Sequence, residues 1–501
     1  MRALPEAVKI KINQHLLDPD TARIDALDQV LMLLPPELLR GRLPALPYRD
    51  VLEKRLGRGI GKECGRILLA TDLPNPRGTR VILACVRPEA TAFERLTLAR
   101  KLAAALLERR SGAVAVYPVA LPRLVAEQVT EAQVAALLAA LTPRPNRKSR
   151  PVAVPRVGTL HLYGLARRLN LARTRAEAEG NGLARWLTAL PPNELTPGRY
   201  RRHLRTLARH HHWRMEVLDL KALARRGAGA FLAVAQGSPE PDAGIVRLRY
   251  TPRRRRRPGL ALVGKGICFD TGGTNLKSAR HMYGMHEDMQ GSAVALGVLV
   301  ALTRLQADFP VDCWLALAQN HIGPKAYKPN DVVRASNGVT IEVVDTDAEG
   351  RMVLADTLAL ASRARPGLIL GYATLTGACV QALGTRMSGA YANTDALRTD
   401  VLEAGHDSGE RVWPFPADPD YDEPLESNAA DVKQCATEGE ADHILAARFL
   451  SRFVPSGIPW VHIDLASGNH KGGLAHIPTD VTGFGVRFTL HLLLDHRLPA
   501  A

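Results

Sequence analysis

Three stretches of this 501-residue chain gather side chains that can hold cations and move protons. GLALVGKGICFDTGGTNLK (259–277) carries Lys265, Asp270 and Lys277 behind an apolar run, and Gly272 and Gly273 permit tight backbone turns there. MHEDMQGSAVALG places Asp288 just ahead of an apolar segment. DTDAEGR (345–351) sets Asp345, Asp347, Glu349 and Arg351 in front of MVLADTLALA. If that stretch is extended, the four charged side chains point the same way. Like charges so placed repel, and burying them is costly without a counter-charge. Divalent metal ions are the natural one: Asp270, Asp288, Asp347 and Glu349, gathered from three strand ends, would suit a two-metal site with shared oxygen ligands. A single acidic run is more often a solvated turn, and a lysine beside acids more often a plain ion pair. The residue types alone leave both readings open.

The elements that must position these groups read as α/β. In the first third, TRVILACV (79–86), GAVAVYPVAL (112–121) and TLHLYGL (159–165) are strand-like, and 91–110 has helical spacing. The Pro- and Arg-rich segment 142–158 reads as an exposed connection, and a helix follows over 173–190. Further on, Thr196 and Pro197 mark a helix start. Strands are expected at WRMEVLDL, 244–250, 312–319, 367–375 and 459–466, with helices over 292–305 and 352–364. This alternation implies a mostly parallel sheet flanked by helices, with ligands at the carboxyl ends of its strands. We expect a smaller N-terminal α/β domain (1–170), variable and serving oligomerisation or regulation, and a larger catalytic domain (171–501).

Composition narrows the class. No run approaches the roughly 18 apolar residues of a membrane span, and the first twenty residues lack the apolar core of a secretory signal. The six cysteines are scattered without a CxxC pair, which argues against a disulfide framework and a cysteine zinc site and for a reducing cytoplasm. Net charge is +16, with +25 in residues 1–300 and −9 in the remainder. The basic part, including RRRRR (253–257), could attract a polyanion; a loop tip or hairpin is the plainer reading of that run. LGRGIGKE (56–63) fails as a phosphate loop, because Leu56 and Glu63 stand where Gly and Ser or Thr are needed.

The clustered motifs resemble those of the leucyl (cytosol) aminopeptidase family of dinuclear metallopeptidases. DTDAEGR is similar to that family's NTDAEGR signature, VGKGICFDTGG to its VGKGITFDTGG, MHEDMQGSA to its MKxDMxGAA block, and ATLTGACVQALG (373–384) to its ATLTGA block. The likeness runs from about Pro191 to about Arg487.

The resemblance implies an enzyme that removes N-terminal residues, leucine-like ones by preference, from short peptides through metal-activated water. By that likeness Asp270 and Glu349 bridge two divalent ions (manganese or zinc, with magnesium as a further option), Asp347 completes one site, and Lys265 and Asp288 the other. Lys265 would have to be neutral to coordinate. Lys277 would stay charged and stabilise the oxyanion. Arg351 would hold a bicarbonate that shuttles a proton, or else make a purely structural bridge to nearby acids. Met285, Thr374 and Gly377 match positions lining the pocket for the first side chain; ordinary core packing is the alternative. The family likeness also implies a cytoplasmic homo-oligomer, a hexamer, with no membrane association. A DNA-binding regulator using the basic N-terminal half, with or without peptidase activity, is the competing function. Asp345 departs from the signature asparagine and adds charge beside the metals.

Overall fold

A run such as LALVGKGICFD, apolar at nearly every position, has to be covered on both faces, which is what a central strand of a parallel sheet requires. In a computed structural model describing residues 4–39, 42–56, 64–150, 156–254 and 258–499, Leu260–Asp270 is such a strand. Its neighbours on either side, Val311–Asn320 and Leu368–Ala373, both run parallel to it. The whole sheet has eight strands. From one edge they are Val412–Pro414, Ser388–Ala392, Trp460–Asp464, Leu368–Ala373, Leu260–Asp270, Val311–Asn320, Gly244–Tyr250 and Arg214–Asp219. The four central strands are parallel, and antiparallel pairings enter towards both edges.

The period-two alternation of Leu260–Asp270 divides its neighbours. Ala261, Val263 and Ile267 share one core with Met352, Val353 and Leu358 of the helix Glu349–Ser362, every residue of which is buried. On the other face Gly264 admits the helix Gln290–Arg304, since a Cβ there would lie 2.5 Å from the Ser292 Cα. The helix Pro197–His211 starts as its sequence dictates, with the Thr196 hydroxyl accepting from the Arg199 N–H and Pro197 in the first turn. A small sheet of Val332–Arg334, Thr340–Glu342 and Val432–Lys433 completes this unit, which comprises Met1–Pro5, Glu179–Lys471 and Val481–Ala501.

The other unit, Glu6–Ala178 with Gly472–Asp480, is built on a six-stranded sheet. Its order is Lys11–Gln14, Val157–Leu162, Ser111–Pro118, Gln29–Leu34, Arg80–Cys85 and Ile67–Asp72, all parallel except the last. The helices Ala92–Leu107 and Arg123–Leu141 pack together and onto this sheet. By contact the division falls after Ala178, inside the helix Ala172–Thr188, and the segment 472–480 returns to the N-terminal unit.

Three sequence expectations need correction. Arg123–Leu141 is, by length and composition, apolar enough to cross a membrane, but it is mostly buried and serves as a core helix. Cys64 and Cys85 are paired as a disulfide, whereas the other four cysteines are free and buried. The strands flanking the arginine run do not form a hairpin, because Val311–Asn320 is inserted between Gly244–Tyr250 and Leu260–Asp270. Arg255 to Arg257, and all of the rejected phosphate-loop motif except Leu56, lie outside the described residues.

Candidate metal centre

Asp270 is the last residue of its strand, and the chain turns immediately: Gly272 and Gly273 take φ of +87° and +67°, and the Gly272 N–H donates to Asp270 Oδ1 at 2.8 Å. Asn320, which ends the neighbouring strand, donates from Nδ2 to the same Oδ1 at 2.8 Å and to the Thr346 carbonyl at 2.9 Å. These bonds leave Asp270 Oδ2 facing the Lys277 ammonium at 2.9 Å; Lys277 also contacts Asp347 Oδ1 at 2.5 Å. Five residues earlier on the same strand, Lys265 Nζ sits 2.8 Å from both Asp288 Oδ2 and Glu349 Oε1 and donates to the Thr374 carbonyl at 3.1 Å. Thr374 closes the loop by donating its hydroxyl to Asp288 Oδ1 at 2.7 Å.

The opening stretch is not extended. The Ala348 N–H bonds to the Asp345 carbonyl at 3.1 Å and the Asp347 N–H to Asp345 Oδ1 at 2.8 Å, making a turn, and Glu349 begins a helix. Two residues on a helix are separated by about 200°, so Glu349 and Arg351 face different ways. Glu349 meets Lys265, whereas Arg351 donates from Nη2 to Asp442 at 2.7 and 2.8 Å and from Nη1 to the Gln434 carbonyl at 3.3 Å. Gly350 lets this helix start lie against Lys265: a Cβ there would fall 2.7 Å from Lys265 Nζ and displace the lysine from its present place. Of the four expected carboxylates only Asp270 ends a strand; Asp288 follows a short helical turn.

The electrostatics are those of a cluster short of positive charge. Four carboxylates face two ammonium groups, leaving a deficit of two charges, and Lys265, Asp270, Asp288 and Glu349 are each at most 6% exposed. Burial pushes the Asp347 carboxyl up to about 7, with the Asp270 charge adding to it. Burial, reinforced by Asp270, also raises Glu349; burial raises Asp288 well above the ordinary range in spite of Lys265. For both lysines burial opposes the charged form, but the surrounding carboxylates outweigh it and raise them. Oxygens of Asp270, Asp347 and Glu349 lie within 4.8 Å of one another, and Glu349 Oε2 has no hydrogen-bond partner among the described residues. Clustered hard oxygens, a charge deficit and an unpaired buried carboxylate oxygen fit divalent cations.

The pocket residues are partly tied to this centre. Thr374 touches it directly. Gly377 opens the helix Gly377–Leu383 with empty space beside its α-carbon, and half-buried Met285 begins the turn leading to Asp288. The sequence did not mark Asn320, Gln434, Asp442 or Asp464. Gln434 Oε1 accepts from the Val344 and Asp345 N–H groups at 3.1 Å each, and Asp464 accepts from the Thr376 hydroxyl at 2.7 Å. Asn320 and Asp464 shared one available signal, a polar residue closing an apolar strand.

A parallel sheet with a buried carboxylate and lysine cluster at its carboxyl end defines a metal-dependent hydrolase class, and the comparisons with known proteins agree on which. The catalytic-domain model of the cytosol aminopeptidase family matches residues 182–490. A probable cytosol aminopeptidase of Polaromonas sp. (strain JS666 / ATCC BAA-500) is 37% identical over 477 residues, covering 95% of this chain and 92% of that protein. One from Syntrophobacter fumaroxidans is 40% identical over 354 residues, covering 70% of each. Among solved structures, a mutant of tomato leucine aminopeptidase superposes with a TM-score of 0.83 at 28% identity over 98% of each chain. The bottromycin maturation enzyme BotP in complex with Mn superposes with 0.80 at 31% identity, covering 94% of this chain and 100% of that one. The chain belongs to the cytosol aminopeptidase family, and it is a metal-dependent aminopeptidase, a hydrolase acting on peptides. None of these comparisons supports the DNA-binding alternative.

Proposed function

We propose that the protein removes leucine-like N-terminal residues from short peptides, using two divalent ions held by the carboxylates around Lys265 and Lys277. The observation that carries this reading is the pair of lysine-bridged carboxylate couples that meet at Asp270 and Glu349. Asp270 and Glu349 would be shared, Asp347 would serve one ion, and Asp288 with a deprotonated Lys265 the other. Manganese is the first ion to try, since it is the one named with BotP; zinc and magnesium follow. When bound, such ions lower the pKa of water from about 15.7 toward about 7 and polarise a carbonyl.

The chain's own groups do the rest. The raised Lys277 stays an ammonium and can donate to the oxyanion that forms when the peptide carbonyl is attacked. Asn320 and the Gly272 N–H hold Asp270 in one orientation. Arg351 keeps an unpaired buried Nε among the described residues, a donor available to a bicarbonate that could carry a proton to the departing amine. Met285, Thr374 and Gly377 would border the first side chain. We further propose a cytoplasmic hexamer and an oligomerisation or regulatory role for residues 1–170.

The test is leucine release from leucyl amide by purified protein, before and after chelation and with manganese or zinc restored. Loss on chelation and recovery with metal is the expected result. No release from a panel of N-terminal residues by folded, metal-loaded protein would refute the proposal.

A further inference from the structure

The amino ends of two central strands of the catalytic sheet carry a second concavity. Leu368–Ala373 and Trp460–Asp464 start beside it, and the helices Glu349–Ser362 and Asp442–Ser451 finish there. Its volume is about 640 Å³, the size of pockets that take small organic ligands. The helix Glu349–Ser362 reaches from the metal centre to this cleft, which at the helical rise puts the two about 20 Å apart.

Three arginines line the cleft, Arg363, Arg365 and Arg452, and no acidic residue does. All three are exposed, so a ligand can reach them. Their charges are poorly compensated. Arg363 donates to the neutral Ser336 carbonyl at 3.1 Å. Arg452 lies 3.5 Å from Asp422 Oδ2, but Arg448 already holds both oxygens of that carboxylate, at 2.8 and 2.6 Å. Arg365 has no ion pair or side-chain hydrogen bond among the described residues. Residues 301–501 carry a net charge of −9, so composition does not account for the gathering. Cations complement the carbonyl end of a helix, and Arg363 and Arg452 are the capping residues of theirs. Arg365 is the one this leaves over. Its φ is +45°, a conformation that glycine adopts without strain, yet the chain places a long cationic side chain there.

A guanidinium fork pairs with carboxylate or phosphate oxygens. Three such groups around one cleft exceed what a monocarboxylate can neutralise, and they suit a phosphate ester with two negative charges or more. Much of the remaining wall is apolar, from Pro366, Val454, Pro455 and Ile458, and suits an apolar body on the same molecule. We propose that this cleft binds a small, soluble phosphate ester, its phosphate oxygens held by Arg363, Arg365 and Arg452 and its apolar part against the prolines and Ile458. The site is separate from the metal centre and does not rest on the function proposed above.

Naphthyl phosphate, which is fluorescent, is a suitable probe. Titration into full-length, metal-loaded protein should show saturable binding, in the micromolar to millimolar range of a small ligand, that weakens as salt is added. Arg365→Gly suits the local backbone, so it should keep the fold and Tm while weakening binding about tenfold or more, the loss of one charge-assisted pair. Arg452→Gln should weaken it similarly, and decides alone if the first variant does not fold. Naphthol, which lacks the phosphate, and inorganic phosphate, which lacks the ring, should each bind about tenfold more weakly or worse. Phosphate oxygens also coordinate metal ions, so the titration is repeated after chelation, where binding should persist. Absence of saturation, unchanged affinity in a folded arginine variant, equal binding of naphthol or of inorganic phosphate, or loss of binding on chelation would each overturn the proposal.

Discussion

At the carboxyl end of Leu260–Asp270 the chain delivers carboxylates and ammonium groups; at the carboxyl ends of Gln29–Leu34 and Arg80–Cys85 a small cleft is lined mostly by aliphatic side chains such as Leu33, Val86, Leu98 and Leu102. Both crevices occupy the position where parallel sheets admit ligands, so the architecture marks the place and the side chains choose the chemistry. The first crevice tolerates buried charge because each lysine lies between two carboxylates, and it is still two charges short. The second buries no such cluster: its walls are mainly aliphatic, and its charged lining residues are Arg87, Glu94 and Arg95. Substitutions in the first should therefore alter chemistry far more than folding, and substitutions in the second the reverse.

The largest effect expected is that of Asp347→Ala. Losing a ligand that organises several kcal/mol of transition-state stabilisation should lower kcat by about a thousandfold or more, with circular dichroism unchanged; near-normal turnover would show that the carboxylate is not part of the centre. Lys277→Met should follow, at about 10²- to 10³-fold in kcat, the scale of one oxyanion donor. A matching rise in KM with kcat preserved would instead make Lys277 a binding residue.

The third prediction concerns pH. In the metal-free protein the Asp347 carboxyl is raised to about 7 by burial and the Asp270 charge. A raised carboxyl favours the folded state fully below its unfolded pKa of about 4, and that contribution is lost as pH rises through about 7. The Tm of chelated protein should fall between about pH 4 and 8, and added manganese should recover more of it at the upper end. A flat profile for chelated protein would contradict the charge deficit. Asp345→Asn should be milder, within a few-fold in activity, because an asparagine oxygen can still accept from the Asp347 N–H; a loss as large as that of Asp347→Ala would show that the extra charge is required. The smallest effect belongs to the N-terminal unit. Thr91 and Glu94 form a capping box at Ala92–Leu107, so Thr91→Ala should cost about 1 kcal/mol of stability with kcat unaltered.

Much of the first crevice was readable in the sequence, because Lys265, Asp270, Lys277, Asp288, Asp347 and Glu349 stand in long motifs and the structure brings all six together. Their geometry was less legible. Alternation along DTDAEGR assumed an extended backbone, whereas the Asp345 side chain captures the Asp347 N–H and folds the stretch into a turn before a helix. Asn320, Gln434 and Asp442 escaped notice since their contribution depends on partners 50, 89 and 91 residues away, which no local pattern encodes. The strand and helix alternation foretold a mostly parallel sheet, and apolar runs such as LALVGKGICFD identified its centre. The place of Val311–Asn320 between two strands consecutive in sequence is a property of topology, and local sequence is silent on it. Nor could spacing show the pairing of Cys64 with Cys85.

The return of Gly472–Asp480 to the N-terminal unit has a consequence for biosynthesis. Ala475 is 3% exposed in the core shared by the helices Ala92–Leu107 and Arg123–Leu141, and the Gly472 carbonyl accepts from Arg100. A ribosome adding about 5–20 residues per second needs roughly 15–60 s to travel from Ala178 to Gly472. Through that interval the first-made unit waits on the tunnel with a gap in its interior, open to chaperones, until the nearly finished chain hands back the segment that closes it.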